Sequence, residues 1–197
     1  MIVVLIDMTK DAHLLHRAYE GIEDVTLLVN PSNEQVNRVL SERPHETLVC
    51  LGHGCQYGLF GPFCLFGIAT PMVISDTTVD LLKDRELICI WCNADEFGRR
   101  HPELKGFFTS MFISNANEAR CFGFDADEDD IFNEVTLFAE RVNNLIKQEV
   151  PLYDWPERLR SEADLSKDYV KFNYEGLKCF NVHKPLLLFT LDPDILK

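Results

Sequence analysis

Two residues with reactive side chains lie at the ends of apolar runs of strand length. His53 comes after the run that ends at Leu51, and Cys92 comes after the run 87–91. A cysteine thiol is mostly protonated at neutral pH, and a nearby imidazole either lowers its pKa or accepts its proton. If the two runs form neighbouring strands, the sequence predicts a catalytic pair of His53 and Cys92 in one crevice.

The residue after the histidine indicates where a reaction intermediate would bind. Gly54 has no side chain, so its backbone N–H is unobstructed. Together with the N–H of Cys92, it could hold the negative oxygen that develops when a thiolate attacks a carbonyl group. The alternative interpretation is a histidine and a cysteine that belong to an ordinary core and take no part in catalysis.

Alternating strand and helix patterns must position this pair. Four apolar runs have the length of buried strands, and helical patterns separate them. The runs span 2–6, 25–29, 46–51 and 87–91; helices are predicted over 10–19, 31–40, 77–82 (with Asp76 as its N-cap) and 131–147. This order predicts an α/β fold with a mainly parallel sheet of five or six strands and helices on both faces.

Two segments show weaker patterns. The glycine-rich stretch 52–67 predicts a loop or a hairpin, because Gly61-Pro62 interrupts regular structure. From residue 148 the chain is expected to form an irregular extension, with a final apolar run over 185–191 that could be an edge strand. We expect the whole chain, 1–197, to form a single domain.

Charge and cysteine usage limit the classes of partner and the compartment. The net charge is -13, from 32 acidic and 19 basic side chains, so nucleic acid and anionic membranes are expected to be repelled. The first residues lack the basic segment of a signal peptide, and no apolar run is long enough to cross a bilayer. The seven cysteines, an odd number, predict reduced thiols in a cytoplasmic protein.

The motif resembles the caspase-like cysteine peptidases, a superfamily that includes caspases, metacaspases, clostripain, gingipains and CHAT-domain proteins. An apolar strand ends in His-Gly, and 39 positions after His53 a second strand ends in Cys92. The resemblance covers about residues 1–147 and implies a three-layer caspase-like sandwich that cleaves peptides or proteins without a metal or cofactor. It implies that His53 is the base or proton donor, Cys92 the nucleophile, and the backbone of Gly54 and Cys92 the oxyanion hole.

The resemblance also implies a preference for the residue before the scissile bond. Metacaspases and clostripain use acidic residues to bind arginine or lysine. The acids nearest the predicted strand ends are Asp7, Asp11 and Asp95, which are therefore the expected substrate-binding residues. Helix capping for Asp7 and an exposed loop for Asp95 are the competing interpretations.

Several other functions remain open at this stage. Trp91 and Asn93 flank Cys92 where many relatives have small residues, so the chain could be an inactive interaction domain of the same fold. Cys89 and Cys92 have the spacing of a redox pair, which would indicate a redox or small-molecule-binding α/β domain. The acidic run 125–130 indicates either charges that stabilise a helix start or a calcium site.

Overall fold

The computed structural model describes residues 1–62 and 72–182. Within them the strands are β1 (Ile2–Leu5), β2 (Thr26–Val29), β3 (Leu48–Leu51), β4 (Gly54–Cys55), β5 (Gly58–Phe60), β6 (Met72–Ser75), β7 (Glu86–Ile90), β8 (Lys105–Phe108) and β9 (Lys178–Phe180). Six of them form the central sheet in the order β2-β1-β3-β7-β8-β9. All neighbours in this sheet are parallel except β8 and β9, which are antiparallel. The remaining three strands form a small antiparallel sheet, β4-β5-β6.

The helices connect and cover the central sheet. They are α1 (Lys10–Leu14), α2 (Asn33–Glu42), α3 (Ala94–Arg100), α4 (Ala116–Cys121), α5 (Glu128–Lys147), α6 (Trp155–Ser161) and α7 (Asp168–Glu175). Short 3-10 helices lie at Leu15–Ala18, Asp76–Leu81 and Leu152–Asp154. The predicted helix 10–19 is therefore split into α1 and the 3-10 turn that follows it.

The alternation of side chains along each strand divides the core into two layers. In β1, Val3 and Leu5 pack with α5, whereas Ile2 and Val4 pack with α2 on the opposite face. The strands β3, β7 and β8 divide in the same way, because successive residues of a strand point to opposite faces. The result is an α/β sandwich of three layers, as the strand and helix pattern predicts.

The pairing of β3 with β7 matters most for the site. The two strands are parallel, with Leu48 opposite Leu87 and Leu51 opposite Ile90. Their carboxyl ends therefore lie side by side, and the residues that follow them enter the same region. The predicted adjacency of the third and fourth core strands is confirmed.

The chain after residue 148 is more regular than the sequence indicates. It forms α6, α7 and the edge strand β9, and its aromatic residues Trp155, Tyr169 and Tyr174 are buried in the core layer that contains α5. These aromatic side chains supply large apolar surfaces that fix two short helices to the domain. The run 185–191, predicted as an edge strand, lies outside the described residues.

Two further differences concern local structure. The 3-10 helix after β6 is capped by Ser75, whose backbone N–H donates to Thr78, and not by Asp76 as predicted. The glycine-rich stretch forms the β4-β5 hairpin, as expected, and its residues 63–67 lie outside the described residues.

Candidate active site

The structure brings His53 and Cys92 to one place at the carboxyl ends of β3 and β7. Both residues line a small cavity of about 20 Å³, which is enough for about one water molecule. Both also line an open cleft of about 530 Å³, whose other walls include Thr9, Asp11, Asn115 and Glu118. We call this larger space the cleft. It lies where open parallel sheets commonly hold their functional groups.

His53 is fixed by the segment that begins α1. Its Nε2 lies 2.7 Å from the Thr9 hydroxyl oxygen and 3.5 Å from Asp11 Oδ2. The Asp11 carboxylate raises the pKa of His53 above its ordinary value of 6.5, against the opposite effect of burial, and Glu118 adds to this increase. The surroundings therefore favour the protonated form of His53 more than water does.

Asp11 is a buried carboxylate with several hydrogen-bond partners. Ser114 Oγ donates to Asp11 Oδ2 at 2.5 Å, and Asn115 Nδ2 donates to the same oxygen at 3.4 Å. Burial opposes ionisation, but contacts with His53, Ser114 and Thr9 hold the pKa of Asp11 well below its ordinary value. Asp11 is thus a negative charge held between the starts of α1 and α4.

Cys92 is half-buried, and its surroundings favour the neutral thiol. Its Sγ donates to the Phe112 carbonyl oxygen at 3.5 Å. Burial, followed by the negative charges of Glu118 and Asp11, raises the pKa of Cys92 to about 12. Among the contacts of the described residues, no hydrogen bond joins Cys92 to His53, although both side chains line the cleft.

The turn after β7 presents Cys92 to the cleft. Asn93 adopts a left-handed backbone with φ of 62°, which asparagine tolerates better than most residues. Its backbone N–H donates to the Ser110 carbonyl, and α3 begins at the next residue. Cys92 therefore lies in the short turn between the end of β7 at Ile90 and the start of α3.

Gly54 has a steric role besides the one predicted for its backbone. A Cβ at this position would lie 2.3 Å from Trp91 Cδ1 and 2.5 Å from the Gly58 carbonyl oxygen. The Trp91 indole is buried, and its Nε1 donates to the Cys55 carbonyl at 3.1 Å. Gly54 also lines the cleft. Its contribution to an oxyanion hole stays a prediction.

The other two predicted substrate-binding acids do not line the cleft. Asp7 accepts a hydrogen bond from Asn30 Nδ2 at 2.5 Å and pairs with His13 at 3.4 Å. Asp95 is buried on α3 and pairs with Arg99 at 2.6 Å. Of the three acids named from the sequence, the structure therefore places only Asp11 beside the pair.

Three residues around the pair were not predicted from the sequence: Glu118, Ser114 and Thr9. Glu118 Oε2 accepts from the Ser114 backbone N–H at 2.8 Å and from its hydroxyl at 3.1 Å. The spacing of Asn115 and Glu118 in the sequence could have identified Glu118 as part of a helix start. In the structure Asn115 caps α4 and accepts from the Glu118 N–H at 3.0 Å. A cap followed three residues later by glutamate marks the start of a helix, and here that helix borders the cleft.

The two cysteines of the proposed redox spacing have different environments. Cys89 is buried inside β7, opposite Cys50 of β3, while Cys92 lies beyond the end of the strand. Burial and the contact with Cys50 raise the pKa of Cys89. Both Cys89 and Cys92 are free thiols in the structure.

The acidic run 125–130 stabilises neighbouring elements. Asp127 caps α5 by accepting from the Asp129 N–H at 2.9 Å, and Glu128 accepts from the Ala116 N–H at 2.6 Å. Asp130 pairs with Lys167 at 2.8 Å. Within residues 1–62 and 72–182, no group of three or more His, Cys, Asp and Glu side chains could hold a metal ion.

The described part of the chain contains no helix that is both long and apolar enough to span a membrane. In comparisons with models of known protein families and with curated proteins, nothing matches this chain. A functional proposal for this chain therefore rests on the geometry of the cleft.

Proposed function

We propose that this protein is a cysteine peptidase in which Cys92 is the nucleophile and His53 moves the proton. The observation that carries the proposal is the position of the two residues at the ends of adjacent parallel strands, where they line one cleft. The resemblance of the motif to caspase-like peptidases supports the same assignment.

The reaction follows from the chemistry of the two side chains. When a substrate carbonyl enters the cleft, the Cys92 thiol proton passes to His53, and the sulfur forms a bond to the carbonyl carbon. The oxygen becomes negative and is held by backbone N–H groups, for which Gly54 and Cys92 are the candidates. The imidazolium then gives its proton to the departing amine as the C–N bond breaks, which leaves a thioester. Water hydrolyses the thioester, with His53 as base, and restores the thiol.

The charge of the cleft favours a basic residue before the scissile bond. Two carboxylates, Asp11 and Glu118, line the cleft. Asp11 is buried and already paired with His53, whereas Glu118 is half-buried and its contacts are to Ser114. Glu118 is therefore better placed than Asp7 or Asp95 to bind a lysine or arginine side chain, because a charged pair in a partly desolvated site is stronger than in water.

A fluorogenic peptide library that varies the residue before the scissile bond tests this proposal. We expect cleavage after arginine and lysine, with a loss of about three orders of magnitude or more in both Cys92→Ala and His53→Ala. Glu118→Gln should reduce the preference for lysine over leucine by roughly tenfold or more, since a hydrogen bond to a charged group contributes about 1.5–3 kcal/mol.

The same library separates the proposal from its alternatives. Cleavage by Cys92→Ala at the wild-type rate would show that another group performs the reaction. If the wild-type protein cleaves no peptide, the inactive interaction domain becomes the better description. Glu96→Gln is the matched control for Glu118→Gln, because Glu96 is exposed on α3, pairs with Arg99 and does not line the cleft.

A further inference from the structure

The histidine of the candidate pair is attached to α1 through one specific nitrogen. His53 Nε2 faces both the Thr9 hydroxyl, at 2.7 Å, and the Asp11 carboxylate, at 3.5 Å. Among the contacts of the described residues, no hydrogen bond involves Nδ1. The two nitrogens therefore have different environments.

The Thr9 hydroxyl can donate to Nε2 or accept from it, whereas the neighbouring Asp11 carboxylate can only accept. A proton on Nε2 lets the ring donate to Thr9 and leaves the Thr9 hydroxyl hydrogen free for Asp11, so both partners favour the Nε2–H tautomer of the neutral imidazole. Nδ1 then has the free lone pair. An imidazole in this tautomer can accept a proton at Nδ1 while Nε2 remains bound to α1.

We propose that Thr9 and Asp11 are positioning residues that hold Nε2–H of His53 and thereby make Nδ1 the atom that exchanges protons with Cys92 and the leaving amine. This inference rests on the proposed function for the identity of the proton's partners. The tautomer of His53 can be measured without any substrate.

The surroundings of the two positioning residues support a fixed arrangement. Asp11 is buried and accepts hydrogen bonds from Ser114 and Asn115, at the start of α4. Thr9 caps α1 by accepting from the Ala12 N–H at 3.4 Å. Because both residues are tied to helix starts, neither can turn away from His53 without loss of other hydrogen bonds.

The expected proton affinity of His53 depends on all charges that face it. These are Asp11 from α1, Glu118 from α4 and the thiol of Cys92 after β7, which is neutral in the resting protein. Removal of the Asp11 charge should lower the pKa of His53 by roughly one unit or more, since a nearby opposite charge commonly shifts a pKa by about 1–3 units. Removal of the Glu118 charge should lower it less and leave the tautomer unchanged.

Nitrogen-15 NMR of the histidine rings across a pH titration tests the inference. In the wild type, neutral His53 should be the Nε2–H tautomer. Asp11→Asn and Thr9→Val should each weaken this preference, and Asp11→Asn should also lower the pKa. Asp11→Glu and Thr9→Ser, which keep the interacting groups, should restore much of the wild-type behaviour. The other histidine rings, seen in the same spectra, serve as internal references.

Activity provides a second readout. If the library detects cleavage, the acidic limb of the kcat/KM profile should move to lower pH in Asp11→Asn by the same amount as the pKa of His53. A wild-type His53 that is mainly the Nδ1–H tautomer would overturn the inference even in an active peptidase. Conversely, the predicted tautomer and its loss in the variants would support the positioning role even if no peptide is cleaved, and only the proposed function would then fail.

Discussion

The surroundings of the cleft act in opposite directions on its two candidate residues. The Asp11 carboxylate stabilises the cationic form of His53, whereas burial and the charges of Glu118 and Asp11 favour the neutral thiol of Cys92. The thiol hydrogen is also engaged by the Phe112 carbonyl. At rest, therefore, the candidate nucleophile is not an activated thiolate, and it needs a substrate in the cleft to lose its proton.

Alkylation rates test this resting state. With iodoacetamide at about pH 8, Cys92 should react more slowly than the exposed Cys121 by roughly two orders of magnitude or more, because only the thiolate reacts. Glu118→Gln should speed the alkylation of Cys92 about tenfold for each unit by which the pKa of its thiol falls. Peptide mass spectrometry gives both rates in one sample, with Cys121 as the control. Equal rates at the two cysteines in the wild type would show that Cys92 is not held neutral.

The ion pair between Asp11 and His53 should make stability depend on pH in a defined window. The pKa of His53 is raised on folding, so its contribution is complete below 6.5 and is lost as the pH rises through the folded value. The pKa of Asp11 is lowered, so its contribution is complete above 3.8 and is lost as the pH falls through the folded value. Both contributions are present together between these two pH values.

Urea unfolding from about pH 3 to 9 measures this window. The difference in free energy of unfolding between wild type and Asp11→Asn should be greatest between the two ordinary pKa values, at about 1.5–3 kcal/mol, and should shrink on both sides. Glu175→Gln is the control, because its pair with Lys171 is exposed and should matter little. A difference that stays constant with pH would contradict the ion pair.

At the scale of elements, the hairpin formed by β4 and β5 packs against the end of β7. Gly54 in this hairpin leaves the space that the Trp91 ring occupies, and Trp91 Nε1 binds the Cys55 carbonyl. The glycine that follows His53 was identified from the sequence for its unobstructed N–H. Its steric requirement could not be predicted, because it depends on a tryptophan 37 positions away in the chain.

Gly54→Ala should therefore disturb both stability and Trp91. An added methyl group must displace the indole or the hairpin, which should cost about 1–3 kcal/mol. In a Trp155→Phe background, where Trp91 is the single tryptophan, its fluorescence should shift to longer wavelength as the ring becomes less buried. Gly21→Ala is the comparison: its new methyl has Lys147 Nζ as nearest atom, at 3.5 Å, but its φ of 67° strains the backbone, so it should lower stability and leave the emission unchanged. An unchanged spectrum and stability in Gly54→Ala would argue against this packing.

At the scale of the whole molecule, the sequence predicts the sheet better than the site. Continuous apolar runs such as 2–6 and 87–91 identify strands covered on both faces, and the adjacency of β3 and β7 follows from ordinary α/β topology. The acids of the cleft were harder to predict, because the end of a strand fixes the backbone position of the residues that follow but not the direction of their side chains. Asp7 binds Asn30 and Asp95 binds Arg99, while Glu118 reaches the cleft from a helix that follows β8.

The redox state of the whole chain provides another prediction. The six cysteines within the described residues are all free, and Cys64 lies outside those residues. We expect thiol titration of the denatured, unreduced protein to find seven free thiols, because Cys89 is enclosed in the sheet and Cys92 lies past its end. An intact disulfide between Cys89 and Cys92 in the resting protein would instead favour the redox function.

The most direct test of the central claim is covalent capture of the nucleophile. A peptidyl acyloxymethyl ketone with lysine next to the ketone carries a group that a catalytic thiolate displaces, and intact mass with peptide mapping locates the new C–S bond. We expect a single adduct on Cys92 in the wild type, formed faster with the lysine reagent than with its leucine analogue. In a folded His53→Ala variant, the rate of adduct formation should fall by several orders of magnitude. Labelling that is confined to the exposed Cys121, or labelling of Cys92 at the same rate without His53, would contradict it.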